Sequence, residues 1–489
     1  MIPGMNKNIA VIGSGLPGMM IALHLAKAGE NVTMFESSNE IGGPVSSWEM
    51  DDVSWDKYHR SNPGSEPDTI KLIDELGLGE DYISHGAATG IYTQCGIRPI
   101  AEMMDILKLP HLDLFRKVRL CLAIRRMMRI DDPAEFERIT AEDWLVKLSG
   151  RKVFDQFWRP LLKASMGDSL NETSAAFALS EIRRTFSAAK TLINDEFGYL
   201  RGGYSRLLER LGEALIDNGV EIRLNSRVET VEKLDTEKLE VRVAARRRHK
   251  DVKPRVMAPK TKYASFRAAA VVTPGFSGGF LSVPDFDPEN VIPFPRTRLS
   301  DTFDRVIMTC PPETAANIAP QLSKHERFDL RHIRYRGMIC ASVLLKYSPS
   351  PFYITKICGD APFDSVIELT ALVGKKEFGG KALIYLPKYV SPDSALFDEP
   401  DEKIKESFLD GLARIHTKLK REDVAAFKVF RVKKMLPVPV PDHFPNMPKQ
   451  KTSVAGLYIL NLSQIPGIAR VTDSICLVES FYRDHFSAR

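Results

Sequence analysis

Three glycines, Gly13, Gly15 and Gly18, stand at G-x-G-x-x-G spacing in "VIGSGLPG", and a carboxylate, Glu36, follows eighteen residues after the last of them. That combination suits the binding of a dinucleotide. Gly13 makes the tight turn, Gly15 lets the backbone approach a pyrophosphate, and Gly18 lets a helix pack closely on a strand. The whole run Gly13, Ser14, Gly15, Leu16, Pro17 and Gly18 is the expected phosphate-facing loop, since a helix N-terminus presents free N–H groups and a positive dipole end. Glu36 can accept hydrogen bonds from a ribose 2′-OH, which favours a non-phosphorylated ribose over NADP.

The elements that must position these residues are legible around them. "NIAVIG" is a continuous apolar strand, "MMIALHLAKAG" carries apolar residues at helical intervals, and "NVTMFE" is a second strand. This βαβ unit accepts FAD and NAD alike. The full chain has 489 residues and 44% hydrophobic content, which predicts a soluble enzyme of two domains. Its six cysteines are far apart and read as buried thiols in a reducing compartment. The histidines form no cluster, so no metal is expected, and neither a G-x-S-x-G nor a P-loop is present. The first strand is reached within eight residues and no apolar run approaches the roughly 18 residues of a membrane helix. The reading predicts a cytoplasmic protein without a nucleic-acid partner.

The net charge of +5 is unevenly placed. Residues 246–262 carry eight Lys or Arg against one acid, net +7, which leaves the remainder at −2. That segment reads either as a solvated loop between strands or as a contact for anionic lipid. Residues 100–130, "IAEMMDILKLPHLDLFRKVRLCLAIRRMMRI", are apolar and basic together. They read either as a peripheral membrane patch bordering the entry of a greasy substrate, with Leu114 and Leu120 as its contacts, or as two amphipathic helices broken at Pro110.

Beyond Glu36 the chain continues "SSNEIGGPVSSW", and its pair Gly42 and Gly43 resembles the second glycine pair of the flavoprotein amine oxidase superfamily, which includes protoporphyrinogen oxidases, phytoene desaturases and monoamine oxidases. "DTIKLIDELGLGEDY", "TAEDWLVKLSGRKVFDQFWRPLLKASMGDSLNETSAA", "GYLRGGYSRLLERLGEAL" and "FDRVIMTCPP" extend the resemblance over most of the chain. "FDSVIELTALV", "GGKALIYLPKYV" and "LPVPVP" look most like the bacterial protoporphyrinogen-oxidase-like branch. The resemblance implies FAD as cofactor, with Val228 in "VEIRLNSRVETVE" offering its backbone to the adenine and His59 in "SWDKYHRSNPGS" near the flavin face. His59 can equally be a hydrogen-bonded loop residue. Arg470, Val471 and Thr472 open a C-terminal helix, with Thr472 as N-cap and its positive end turned to the flavin.

Three departures stand out. Pro44 follows the glycine pair where many relatives carry Arg, Asn461 and Ser463 occupy the C-terminal stretch where many carry Asp, and Leu369 stands where branch members often have His.

The predicted architecture is α/β. A discontinuous Rossmann-like FAD domain of the glutathione-reductase type takes residues 1–75, 200–320 with the basic insertion, and 455–489. A mixed α+β substrate domain takes 76–199, helical, and 321–454, strand-rich. The favoured activity is oxidation or desaturation, in which flavin N5 takes a hydride from an apolar or conjugated small molecule, and no protein base is obligatory. A UDP-sugar mutase or isomerase, for which Arg331, Arg334 and Arg336 are the candidate diphosphate contacts, and a non-catalytic carrier of lipid-like cargo stand as alternatives. Cys310 reads as inert core. The sequence leaves substrate, electron acceptor and oligomeric state open.

Overall fold

The computed structural model describes residues 6–43, 47–50, 53–59, 62–63, 66–93, 96–100, 105–106, 108, 112–187, 195–244, 299–442, 447–465 and 471–487. Pro44, Arg470 and the basic segment 246–262 lie outside the described residues. The chain divides into two units: Met1–Gly43 with Leu211–Arg327 and Gln450–Ile459, and Pro44–Arg210 with Phe328–Lys449 and Leu460–Arg489.

The first unit is built on a five-stranded parallel sheet in the order Glu221–Arg223, Asn31–Phe35, Asn8–Ile12, Arg305–Met308, Leu457–Ile459. Ile9, Ala10 and Val11 are fully buried, as expected for a central parallel strand covered on both faces. The helix Leu16–Lys27 connects the first two strands and buries an almost unbroken run from Leu16 to Leu23. Chain order reverses at Asn8–Ile12, which has Asn31–Phe35 on one side and Arg305–Met308 on the other. Sheets of this kind take their ligands at the carboxyl ends of the strands beside such a switch point. A three-stranded antiparallel sheet, Val228–Lys233, Leu239–Val243 and Leu299–Phe303, completes the unit.

The second unit carries a seven-stranded sheet whose order is Val424–Pro437, Tyr335–Leu345, Ala382–Val390, Ser365–Glu368, Ile354–Ile357, Thr89–Thr93, Gly96–Pro99. Every residue from Arg336 to Leu345 is buried, so both faces of that strand are covered. Side chains alternate between the faces of a strand. Ile339, Ala341, Val343 and Leu345 therefore join one core with Phe363, Phe408 and Leu412, while Met338, Cys340 and Leu344 join another with Trp55, Tyr353 and Tyr385. Within 76–199, expected to be helical, Tyr82–Ala87, Thr89–Thr93 and Gly96–Pro99 are strands. Their aromatic, Thr and Gly content suits a pleated strand, and the last two extend the seven-stranded sheet.

The helices Leu114–Met127, Ala141–Ser149, Arg159–Met166 and Ala175–Ser187 enclose a third core around Phe154, Phe157 and Trp158. In the first of these Leu120 is fully buried and Leu114 is 73% exposed, so the expectation that both face one apolar surface fails for Leu120. The two leucines are six residues apart, which separates them by about 120° around a 3.6-residue helix, enough to put them on different faces.

Candidate functional site

The dinucleotide loop of the first unit gives each glycine a distinct surrounding. Gly13 has φ +109°, and a Cβ there would lie 2.8 Å from Thr309 Oγ1. At Gly18 a Cβ would meet the Gly13 carbonyl oxygen at 2.2 Å and Thr309 Oγ1 at 2.7 Å. Thr309 closes this corner by donating from Oγ1 to the carbonyls of Ile12 and Gly13, each at 3.0 Å. At Gly15 the opposite holds: a Cβ would meet nothing within 4 Å among the described residues, so the backbone faces space open with respect to them.

Gly15 is also the N-cap of Leu16–Lys27, with no side-chain cap and no acid in the first turn, and Pro17 sits at the helix start. An uncapped helix start opening on free space is suited to a phosphate. The second glycine pair lies against this loop. Gly42 N donates to the Ser14 carbonyl at 3.0 Å, and both Gly42 and Gly43 have positive φ, at 103° and 64°. A Cβ on Gly43 would stand 3.9 Å from the Gly15 Cα.

Glu36 ends its strand buried beside the same loop, and both of its oxygens are engaged. One accepts from Ser14 N at 3.0 Å and Ser14 Oγ at 2.7 Å. The other accepts from Ser38 N at 2.8 Å and Ser37 Oγ at 3.1 Å. Burial alone would raise its pKa, but the hydrogen bonds from Ser14 and Ser38 outweigh that and hold it below the usual carboxylate value. Backbone bonds from Asn225 N to Ser38 O, at 2.8 Å, and from Ser226 N to Glu36 O, at 2.7 Å, draw the start of Val228–Lys233 to the acid. Val228, buried, thus begins its strand near Glu36. Cys310 is buried, and burial pushes its thiol up to about 12, which leaves it without thiolate character.

The second unit holds a polar cluster inside aromatic walls. His59 Nε2 lies 2.5 Å from the Tyr353 hydroxyl. The ring of His59 is 5.5 Å from that of Tyr353 and 5.9 Å from that of Tyr385. Tyr385 donates to the Asp56 carbonyl at 2.9 Å, and the Asp56 carboxylate accepts from Tyr204 N near the start of Gly203–Asp217. A cavity of about 20 Å³, room for one water molecule, is lined by Asp56, His59, Tyr199, Tyr204, Leu369 and Tyr385 among others. Burial lowers the His59 pKa to about 3 and raises those of Tyr199, Tyr353 and Tyr385. The imidazole and the phenols are therefore neutral at ordinary pH, and Leu369 adds an apolar wall.

Of the C-terminal candidates, Arg470 lies outside the described residues, while Val471 is buried and opens the helix Val471–His485. Thr472 stands one residue inside that helix and is not its N-cap. Its hydroxyl instead meets Thr69 Oγ1 at 2.6 Å and Glu66, which draws it to the start of Pro67–Glu75. Asn461 is buried, and its Oδ1 accepts from Ser463 N at 3.0 Å, while Nδ2 has no hydrogen-bond partner among the described residues. Such an orphaned donor fits an acceptor brought by a ligand.

Two of the three arginines weighed as diphosphate contacts, Arg334 and Arg336, have separate partners within the chain. Arg334 pairs with Glu172, and Arg336 is buried and donates to the Ser165 carbonyl at 2.6 Å. Among the described residues no group of His, Cys, Asp and Glu is arranged to hold a metal ion.

Tyr199, Tyr353, Tyr385 and Asp56 were not singled out by sequence. They are spread from residue 56 to 385, and no local spacing joins them. The one signal available was the density of tyrosines in strongly apolar strands.

The family model for flavin containing amine oxidoreductase matches residues 16–258. Mitochondrial protoporphyrinogen oxidase of Nicotiana tabacum is 26% identical over 258 residues, 45% of this chain and 50% of that protein. The 15-cis-phytoene desaturase of Solanum lycopersicum is 24% identical over 246 residues, 46% of this chain and 41% of that protein. The chain thus spans about half the length of these curated relatives. In fold it is similar to a solved oxidoreductase structure from Methanosarcina mazei, with a TM-score of 0.68 at 15% identity, covering 97% of this chain and 100% of that one. With the glycine loop, Glu36 and the Gly42–Gly43 pair lying largely inside the matched segment, the chain belongs to the flavin containing amine oxidoreductase family.

Proposed function

We propose that this chain is an FAD-dependent oxidoreductase acting on an uncharged, apolar or conjugated small molecule. The observation that carries the reading is the open space at Gly15 beside an uncapped helix start and a buried, hydrogen-bonded Glu36. Gly13 through Gly18 would hold the diphosphate, Glu36 the ribose hydroxyls and the Val228 backbone the adenine. A bound flavin supplies a two-electron acceptor for a hydride leaving carbon. The first unit would be the cofactor domain and the second the substrate domain.

The neutral cluster supports the substrate class. His59, Tyr353 and Tyr385 offer hydrogen bonds without charge, and the Asp56 carboxylate already accepts from a helix amide. A cationic amine gains little from such walls, whereas an apolar molecule loses no ion hydration on entering them. The relatives named for protoporphyrinogen oxidation and phytoene desaturation agree with that class.

The test is to purify the protein, record its absorption, load FAD if needed, and mix it anaerobically with a porphyrinogen, a polyene or a primary amine. Bleaching by the first or second supports the proposal. Binding of NAD in place of FAD, or turnover of a UDP-sugar by pre-reduced protein with no net redox change, overturns it.

A further inference from the structure

The helix Leu114–Met127 has two apolar faces. Leu120, Ala123, Ile124 and Met127 are buried in the helical core. On the other side Leu114, Phe115, Val118 and Leu122 are 73%, 76%, 48% and 61% exposed. At 100° per residue these four fall in one stripe, opposite the buried one. Four large apolar side chains together on one exposed face are more than the scattered single leucines of an ordinary surface.

The charges around the stripe say what covers it. From Leu114 to Met127 the helix carries five Lys or Arg and no acid. Arg119, Arg125 and Arg126 are exposed, and among the described residues none has a carboxylate partner. Arg119 and Arg126 border the stripe on one side, and Arg125 lies within it. A second copy of the chain packed on this face would set the same cations against each other in a two-fold contact. An anionic lipid surface answers both features at once: acyl chains cover the apolar stripe, and the arginine stems run along it to lipid phosphates.

We infer that the helix Leu114–Met127 docks the protein on an anionic lipid surface. The cofactor loop belongs to the other unit, so docking and flavin binding can be measured separately. The experiment is flotation of the full-length protein with vesicles of phosphatidylcholine plus phosphatidylglycerol, and with phosphatidylcholine alone. The wild type should float with the mixed vesicles and remain behind with the neutral ones. Phe115→Ser with Leu122→Ser, and separately Arg119→Gln with Arg126→Gln, should each weaken binding on the order of tenfold or more. Circular dichroism of both variants should match the wild type, because all four positions are exposed. A Phe115→Trp variant should shift its emission to the blue on mixed vesicles only. The inference is overturned if the wild type fails to float, if it floats equally with neutral vesicles, or if the substitutions leave binding unchanged. It is also overturned if Phe115→Ser with Leu122→Ser dissolves a dimer in sedimentation while vesicles are ignored.

Discussion

Ser14 holds the Glu36 carboxylate by two bonds to one oxygen, from its amide at 3.0 Å and its hydroxyl at 2.7 Å. Ser37 and Ser38 fill the other oxygen, so the acceptor capacity of the acid is used within the chain. On the proposed function, a ribose hydroxyl would replace one of the serine hydroxyls, while the two amide bonds can stay. Glu36→Ala should therefore weaken FAD binding by about 1–3 kcal/mol. Ser14→Ala should leave it unchanged or tighter, since one site on the carboxylate is released. Titration with FAD checks both, and a Ser14→Ala loss as large as that of Glu36→Ala would refute the replacement.

The same carboxylate predicts a pH dependence for the protein without cofactor. Its folded pKa is lowered, so its contribution is present above the unfolded value and is lost as pH falls through the folded one. Glu36→Gln should reduce stability by about 1–3 kcal/mol near neutrality. The gap between the two proteins should close below the ordinary carboxylate range. Denaturant melts at stepped pH would show it, and a gap that persists in acid would mean the amide fails for steric reasons.

Gly15 and Gly18 are three residues apart and should respond in opposite ways. A methyl at Gly18 collides with a carbonyl oxygen at 2.2 Å, and backbone cannot rotate aside as a side chain can. Gly18→Ala should cost about 1–3 kcal/mol or more of stability. Gly15 has φ −65°, which any residue adopts, and its Cβ would enter open space. Gly15→Ala should melt within about 0.5 kcal/mol of the wild type. Its FAD affinity should nevertheless fall at least about tenfold if the proposed function holds, because the methyl would stand where the pyrophosphate approaches. Thermal melts and FAD titration together separate the two outcomes.

The glycine loop was legible as a piece of structure because its parts are neighbours in sequence. Strand, turn, helix and acid lie within residues 8–36, and local propensity and spacing place them without help from distant chain. The His59 cluster was half legible. The histidine stood out, but Tyr353 lies 294 positions further along the chain, and Tyr385 comes beside Tyr353 only through the pairing of Ile354–Ile357 with Ser365–Glu368 and of that strand with Ala382–Val390. Leu120 and Thr472 show two other limits. A mixed apolar and basic helix gives no sign of which apolar face is covered, and a cap read from local sequence yields when a distant carboxylate, Glu66, competes for the hydroxyl.

His59 predicts a second pH effect with a different window. The unfolded histidine takes a proton as pH falls past its ordinary value of 6.5, while the buried one resists until about 3. The folded state therefore loses stability as pH falls through that range, at up to about 1.4 kcal/mol per pH unit. His59→Gln removes the titration while keeping a polar group for Tyr353. The variant should show a flatter stability profile between these values. Parallel profiles would mean that His59 charges inside the folded protein, and would withdraw the neutral cluster from the account of substrate choice.

The last prediction concerns Thr472, whose hydroxyl the sequence assigned to a helix cap beside the cofactor. In the structure it meets Glu66 and Thr69, joining the start of the C-terminal helix to the start of Pro67–Glu75. Thr472→Val keeps the shape and removes that hydroxyl, taking one hydrogen bond each from the partly buried Glu66 and the buried Thr69. Stability should fall by about 1–3 kcal/mol, the range for a polar group deprived of its hydrogen bond. Thr472→Ser, which restores the hydroxyl, should recover most of the loss. FAD content and the rate of flavin bleaching should be the same in both variants and the wild type, since a hydroxyl shared by Glu66 and Thr69 is committed within the unit. If Thr472→Val instead melts like the wild type and loses FAD, the hydroxyl turns to the cofactor when it binds, and the contact with Glu66 belongs to the empty protein alone.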